Sequence, residues 1–314
     1  MNFRAQLFFK IKKIIIYLIF SLLYISCTAQ TNAGKNKTHE SKIVLTISNS
    51  ELIVDKNYGA RIISLKYKNK EILAGSKIHA ENFGSTLWTD PQSAWGWPPY
   101  ETLDIKPYQF IVKNKEYRFT SKPDEKSGFQ MSKFFRVSEK DSCFILNYQI
   151  KNISKTNQSV GAWEVTRVLP GGMSLFPSAP DSSIMTSSNL PGVSHKNGII
   201  WFSYNFDKIK SHAKLFSMGS QGWFAHVIDN MVFIKSFEDI PTSEISKEQG
   251  EIEIYTNGDQ LYTELENHGK HENLKPGQSL NYQVKWYLRT LPSNLDKSEG
   301  STDLVNFIKK QIHK

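Results

Sequence analysis

The sequence predicts an all-β fold: two large antiparallel sheets packed face to face, with one short C-terminal helix. Three observations carry this prediction. Apolar and polar residues alternate with period two, in runs rich in β-branched side chains. Short turn signals such as Asp229-Asn230 and Asn257-Gly258-Asp259 join successive runs, using residues that tolerate the positive φ of hairpin turns. Strand follows strand without an intervening helical pattern, which favours an antiparallel sandwich over a parallel sheet.

The expected strands span 43–48, 60–67, 108–112, 129–137, 143–152 and 160–168. They continue at 199–204, 223–228, 231–237, 251–256, 261–266 and 280–289. Twelve strands are too many for one flat sheet, hence two packed sheets. The helix is expected near the end. Ser301-Thr302-Asp303 offers a cap, and Leu304, Val305, Ile308 and Ile312 share one face. Lys309, Lys310 and Lys314 then sit where the helix dipole favours cations.

The first 26 residues read as a secretory signal rather than as part of the fold. Arg4, Lys10, Lys12 and Lys13 precede an apolar run from Ile14 to Ile25, shorter than the ~20 residues a spanning helix needs. Tyr24-Ile25-Ser26-Cys27 is a degenerate lipobox that would make Cys27 a lipidation site, while Cys27-Thr28-Ala29 offers ordinary cleavage before Gln30. Residues 27–42 are polar, without apolar periodicity, and read as a disordered tether. The expected location is outside the cytoplasm. A lipoprotein of the cell envelope is the first expectation, and a periplasmic or secreted protein the alternative. The β domain then spans 43–292, and 293–314 form a linker and helix.

The chain carries a formal net charge of +9. Without the four basic residues of the signal, 35 basic residues face 30 acidic ones, a net of +5. These are scattered singly, which excludes the concentrated basic face of a nucleic-acid binder. Cys143 is the one thiol besides Cys27, and its apolar strand context reads as a small buried hydrophobe.

The stretch from Phe83 to Tyr100 stands apart, with three of the seven tryptophans, Trp88, Trp95 and Trp97, interleaved with Gly and Pro. Gly and Pro argue against a regular strand there. Indole offers a flat apolar face and one N–H, which suits the C–H face of a pyranose ring; the alternative is that these rings plug one end of the sandwich. Chemistry-bearing residues fall on two strands. In 163–167, alternation puts Trp163, Val165 and Arg167 on one face and Glu164 and Thr166 on the other. In 262–268, Tyr262, Glu264, Glu266 and His268 share a face. That set can supply an acid and a base, or simply form the solvent side of an outer strand. His226 lies in the strand 223–228. His268-Gly269-Lys270-His271 lacks the third and fourth ligands that a structural zinc site needs. With no Gly-rich phosphate loop and no Gly-x-Ser-x-Gly elbow, no metal or cofactor is expected.

Several segments resemble aldose 1-epimerase (galactose mutarotase) relatives. The run Gly59-Ala60-Arg61-Ile62-Ile63-Ser64-Leu65 followed by Lys70-Glu71-Ile72-Leu73 is similar to their opening hairpin. Leu146 to Asn152 with Ser154 and Val160 resembles their central region, and Leu274-Lys275-Pro276-Gly277 into Trp286-Tyr287-Leu288 resembles their close. The run Trp88-Thr89-x-Pro91-Gln92-Ser93-x-Trp95-Gly96-Trp97-Pro98-Pro99 is similar to an uncharacterised family, a domain of unknown function in the same superfamily. The resemblance covers about residues 43 to 292. It implies a galactose mutarotase-like β-supersandwich with a sugar-sized cleft on one sheet.

In true mutarotases a central-strand His acid and a late-strand Glu base interconvert anomers. Here Trp163-Glu164 stands where that His is expected, and the late strand offers Glu264 or Glu266. The candidates for catalysis are therefore Glu164, Glu264 and Glu266. For binding they are Arg61, Trp88, Trp95, Trp97, Trp163, Arg167, His226 and His268. The functional expectation is an exported carbohydrate-handling protein, with a mono- or oligosaccharide ligand and the membrane as a partner through an acylated Cys27. Its chemistry would be that of an epimerase, hydrolase or lyase. The alternatives are a non-catalytic sugar-binding protein and an envelope interaction protein.

Overall fold

A computed structural model describes residues 41–180, 185–186 (backbone only) and 190–312. The expectations for the signal, the tether and Cys27 therefore lie outside the described residues.

One antiparallel sheet runs through β1 (Lys42–Ile47), β2 (Ser50–Asp55), β3 (Arg61–Tyr67) and β5 (Ser85–Asp90). It continues through β10 (Gln158–Val168), β19 (Thr263–His268), β18 (Ile252–Thr256), β15 (Ala213–Ser217) and β12 (Met185–Thr186). Two short strands complete it: β4 (Lys70–Glu71) beside β3, and β20 (Glu272–Leu274) beside the start of β10. The second sheet starts with β13 (Val193–Lys196), β14 (Ile199–Ser203), β11 (Met173–Pro177), β16 (Trp223–Ile228) and β17 (Met231–Phe237). It ends with β21 (Ser279–Thr290), β9 (Cys143–Asn152), β8 (Phe129–Ser138), β7 (Glu116–Thr120) and β6 (Gln109–Lys113).

The main core fills the space between the sheets. Leu87, Ala162 and Leu265 of the first sheet meet Leu146, Phe233 and Trp286 of the second in one apolar cluster. A second cluster lies on the outer face of the second sheet, where Leu304 and Ile308 of the C-terminal helix α2 (Thr302–Ile312) cover Trp201, Trp223 and Ile234. Its start follows the expected cap: the Ser301 hydroxyl accepts the Leu304 N–H at 3.2 Å. The short helix α1 (Glu101–Asp104) follows β5 and brings Asp104 under that strand.

The all-β supersandwich is as expected, with more strands than the sequence reveals. The largest correction concerns the tryptophan-rich run. Its first part is β5, every residue of which is buried, at the centre of the first sheet. The Gly and Pro residues that argued against a strand flank it: Gly84 precedes β5, and Pro91, Gly96, Pro98 and Pro99 follow it.

Candidate functional site

The outer face of the first sheet carries buried polar groups where an outer face is ordinarily solvated. Register explains their arrangement. Strands β5, β10, β19, β18 and β15 are neighbours, and their outward side chains line up in rows across the sheet. Trp88 faces Trp163 and then His268. Thr86 faces Val165, then Glu266, Glu253 and Phe216. Arg167 faces Glu264, then Tyr255 and Lys214.

The ionisable groups form one continuous chain. His271 Nδ1 lies 2.9 Å from Asp90, whose other oxygen is 3.0 Å from His268 Nδ1. His268 Nε2 is 3.3 Å from Glu253. The Lys214 ammonium stands between Glu253 at 2.6 Å and Glu266 at 2.8 Å. Trp163 Nε1–H donates to the same Glu266 oxygen at 2.6 Å. Glycine makes the first link possible: a Cβ at Gly161 would stand 2.4 Å from an Asp90 carboxylate oxygen.

This packing separates the protonation states. Burial opposes the His268 imidazolium, but Glu253 and Asp90 outweigh it and hold its pKa up at about 9. Burial likewise opposes the Glu253 carboxylate, yet His268 and Lys214 pull its pKa below the ordinary value. Glu266 goes the other way: burial, aided by Glu253 and Glu264, pushes it up against the pull of Lys214. Glu266 therefore holds a proton at pH values where Glu253 is ionised. Its Oε1 has no hydrogen-bond partner among the described residues.

Aromatic rings roof this layer. Trp163 stacks on His268 at 5.4 Å and 18°, and Trp88 packs edge-on to Trp163 at 5.2 Å. Trp95 and Trp97 contact Trp88 in turn, at 6.0 and 5.9 Å. Trp97 is the exposed member, at 55 %. Trp88 is fixed from below, since Asp104 accepts its Nε1–H at 2.9 Å along with bonds from Thr86 and Arg61. On the opposite flank, His79 meets Tyr262 edge-on at 5.6 Å. A groove of about 740 Å³, lined by Tyr58, Ile63, Lys66, Lys77 and Phe83, lies at β2 and β3.

The structure brings together Trp88, Trp95, Trp97, Trp163, Arg167, Glu264, Glu266 and His268. Their face is a buried polar layer, not the solvent side of an outer strand. Three candidates stand elsewhere or act indirectly. Glu164 points into the space between the sheets, where it accepts bonds from Tyr148 at 2.7 Å, Lys235 and Trp286. The candidates Glu164 and Glu266 therefore lie on opposite faces of the first sheet, because Glu164 alternates with Val165, the cross-strand partner of Glu266. His226 belongs to the second sheet, bonded to Ser174 at 3.0 Å, with burial pushing its pKa down to about 4. Arg61 is committed to structure: it bridges both Asp104 oxygens and the Glu81 and Phe83 carbonyls, with Tyr58 and Phe83 against its guanidinium. Its service to the site is to hold Asp104 under Trp88.

Asp90, Glu253 and Lys214 were missed as site residues. Glu251, Glu253 and Tyr255 alternate with apolar residues in 251–256, and that signal was available. Lys214 lies in a strand that was not recognised, and Asp90 was masked by its Pro neighbour. The His268/His271 pair grips Asp90 from two sides instead of forming a zinc motif. A different set, Glu253, Glu266 and His268, places ligand atoms within 4.8 Å of one another. Lys214 supplies the positive charge there.

Comparison with known proteins agrees with this architecture. A putative aldose 1-epimerase from Klebsiella pneumoniae is similar over 86 % of this chain and 86 % of its own, with 11 % identity and a TM-score of 0.56. A galactose mutarotase-like protein from Lactobacillus casei matches 79 % of this chain and 100 % of its own, at 10 % identity and a TM-score of 0.55. Another from Clostridium acetobutylicum matches over 80 % and 95 %, at 12 % identity and a TM-score of 0.51. These likenesses establish the galactose mutarotase-like fold and leave the activity open. No curated protein matches the sequence. The model of a domain of unknown function, DUF4380, matches residues 64–289, and the chain belongs to that family.

Proposed function

We propose that this protein handles a sugar on the outer face of its first sheet and performs acid–base chemistry there through Glu266. The observation that carries the reading is Glu266 itself. It is a buried carboxyl with a raised pKa and one unpartnered oxygen, set beside the Trp163 and Trp88 rings. A proton-carrying carboxyl beside an aromatic platform is what transfer to or from a ring or glycosidic oxygen requires. Of the two late-strand candidates, Glu264 pairs with Arg167 and Glu266 with Lys214, both at 2.8 Å, and Glu266 is the one whose pKa burial raises. The names of the solved relatives, among them a putative aldose 1-epimerase, support a carbohydrate ligand. Export by the N-terminal signal, with Cys27 as the point of lipid attachment, completes the proposal.

The test has two stages. A thermal-shift screen against monosaccharides, uronic acids and oligosaccharide fragments finds the ligand, because 100-fold saturation stabilises a fold by ~2.7 kcal/mol. Anomer exchange and bond cleavage are then followed by NMR for each hit. Glu266→Gln is expected to bind the same sugar while turnover falls by about 100-fold or more. Full turnover in Glu266→Gln would remove Glu266 from the chemistry. One observation favours a binding-only protein instead: Trp163 and Glu266 are 2 % and 0 % exposed, so a sugar resting on Trp95 and Trp97 would stay outside the polar layer. Binding lost in Trp97→Ala, with no turnover in any variant, would select that reading.

A further inference from the structure

The two arginines beneath the tryptophan roof differ in one respect. Arg61 has acceptors for both amino groups, in the Asp104 carboxylate and the Glu81 and Phe83 carbonyls. Arg167 is as deeply buried, at 0 % exposure, yet only its Nε side meets a carboxylate, Glu264 at 2.8 Å. Its Nη1 and Nη2 have no hydrogen-bond partner among the described residues. Trp88 covers the guanidinium at 5.1 Å. A buried donor without an acceptor carries its full desolvation penalty, and here both amino groups of one cation do so on the face that holds Glu266.

Glu264 is the carboxylate in contact with Arg167, while the nearby Arg61 and Asp104 pair with each other. A planar monoanion fits the open Nη1/Nη2 edge by two parallel bonds. A dianionic phosphate would bring two negative charges against Glu264 where a carboxylate brings one.

We propose that Arg167 binds the carboxylate of an acidic sugar, a hexuronic acid free or at the end of an oligosaccharide. This assignment rests on the reading of the outer face as a sugar site. The carboxylate occupies the free edge of Arg167; because that side chain is 0 % exposed under Trp88, entry requires the Trp88 ring to move aside.

The experiment is calorimetric titration of the wild-type protein with glucuronate and galacturonate. The matched neutral hexoses, the neutral hexuronamides and the hexose 6-phosphates serve as comparison ligands. The uronates are expected to bind about 10-fold or more tightly than the matched hexoses and amides, on the scale of a charge-assisted hydrogen bond. Arg167→Lys, checked for folding by circular dichroism, is expected to lose that preference; if it does not fold, the wild-type ligand series decides alone. Equal affinity for uronate, hexose and amide would overturn the carboxylate assignment and leave the sugar site standing. Tighter binding of the hexose 6-phosphates, or a preference surviving in folded Arg167→Lys, would overturn it too. Binding of none of these sugars would overturn both this assignment and the reading it rests on.

Discussion

Glu266 is held by Trp163 and Lys214 on one face of the first sheet, and Glu164 by Tyr148, Lys235 and Trp286 on the other. Both are fully buried, but their surroundings assign them different work. Glu164 closes the interior by pairing with Lys235. Removing one partner of such a pair strands a buried charge, so Glu164→Ala is expected to lower unfolding free energy by about 3–5 kcal/mol in urea titrations. In contrast, Glu266→Gln keeps the shape of the side chain and is expected to spare most of the stability while removing the proton. A third residue gives the pH signature. The folded-state pKa of His268 is raised from 6.5 to about 9, so its stabilising contribution is complete below pH 6.5 and lost as pH rises through 9. Glu251, raised from 4.5 to about 8 chiefly by burial, adds the same sign between those values. The His268 contribution of ~3 kcal/mol is therefore expected to be lost between pH 6.5 and 9, opposed in the net profile by Lys133, whose pKa burial lowers from 10.5 to about 7. Raising the pH across that range should therefore cost wild type more stability than His268→Gln, as read by urea midpoints.

At the scale of elements, β5 and β10 decide what the site is. Trp88 and Asp90 of β5 reach the outer face because the strand begins at Ser85, one residue after Gly84. The Asp90 carboxylate then turns across Gly161 of β10 to meet both His268 and His271. Gly161→Ala would drive a methyl group to within 2.4 Å of that carboxylate. It is expected to destabilise the fold by about 1–3 kcal/mol, as overpacking does, and to disturb the relay on which the His268 signature rests. The same two strands show what sequence reading resolves. The alternation Trp163-Val165-Arg167 and Glu264-Glu266-His268 is legible because period-two patterning is local. That these faces are buried is not, since burial comes from rings supplied by residues 88–97. β5 was hidden because Pro91 and Gly96 dominate its neighbourhood. Lys214 was hidden because its strand is only five residues long.

Across the whole molecule, the sandwich class and the helix cap were legible from strand spacing, turns and Ser301. Cross-strand partnerships were not: β10 pairs with β5 and β19, the latter about a hundred positions distant in sequence. Only that topology brings Asp90, Glu253 and Lys214 to Glu266. The second sheet covers part of its outer face with α2, whereas the first leaves its outer face to ionisable groups and tryptophans. A fold that needed only stability would not gather charges there, because buried ion pairs stabilise little beyond their desolvation cost. The polar layer is thus the part of the molecule that function explains best. On this reading the layer holds a sugar and Glu266 moves its proton. The most direct measurement is a side-by-side assay of wild type and Glu266→Gln on one sugar panel, with binding by thermal shift and turnover by NMR. The same sugars are expected to stabilise both proteins while only the wild type converts them at a measurable rate. Equal turnover in the two proteins, or no stabilisation by any sugar, would contradict it.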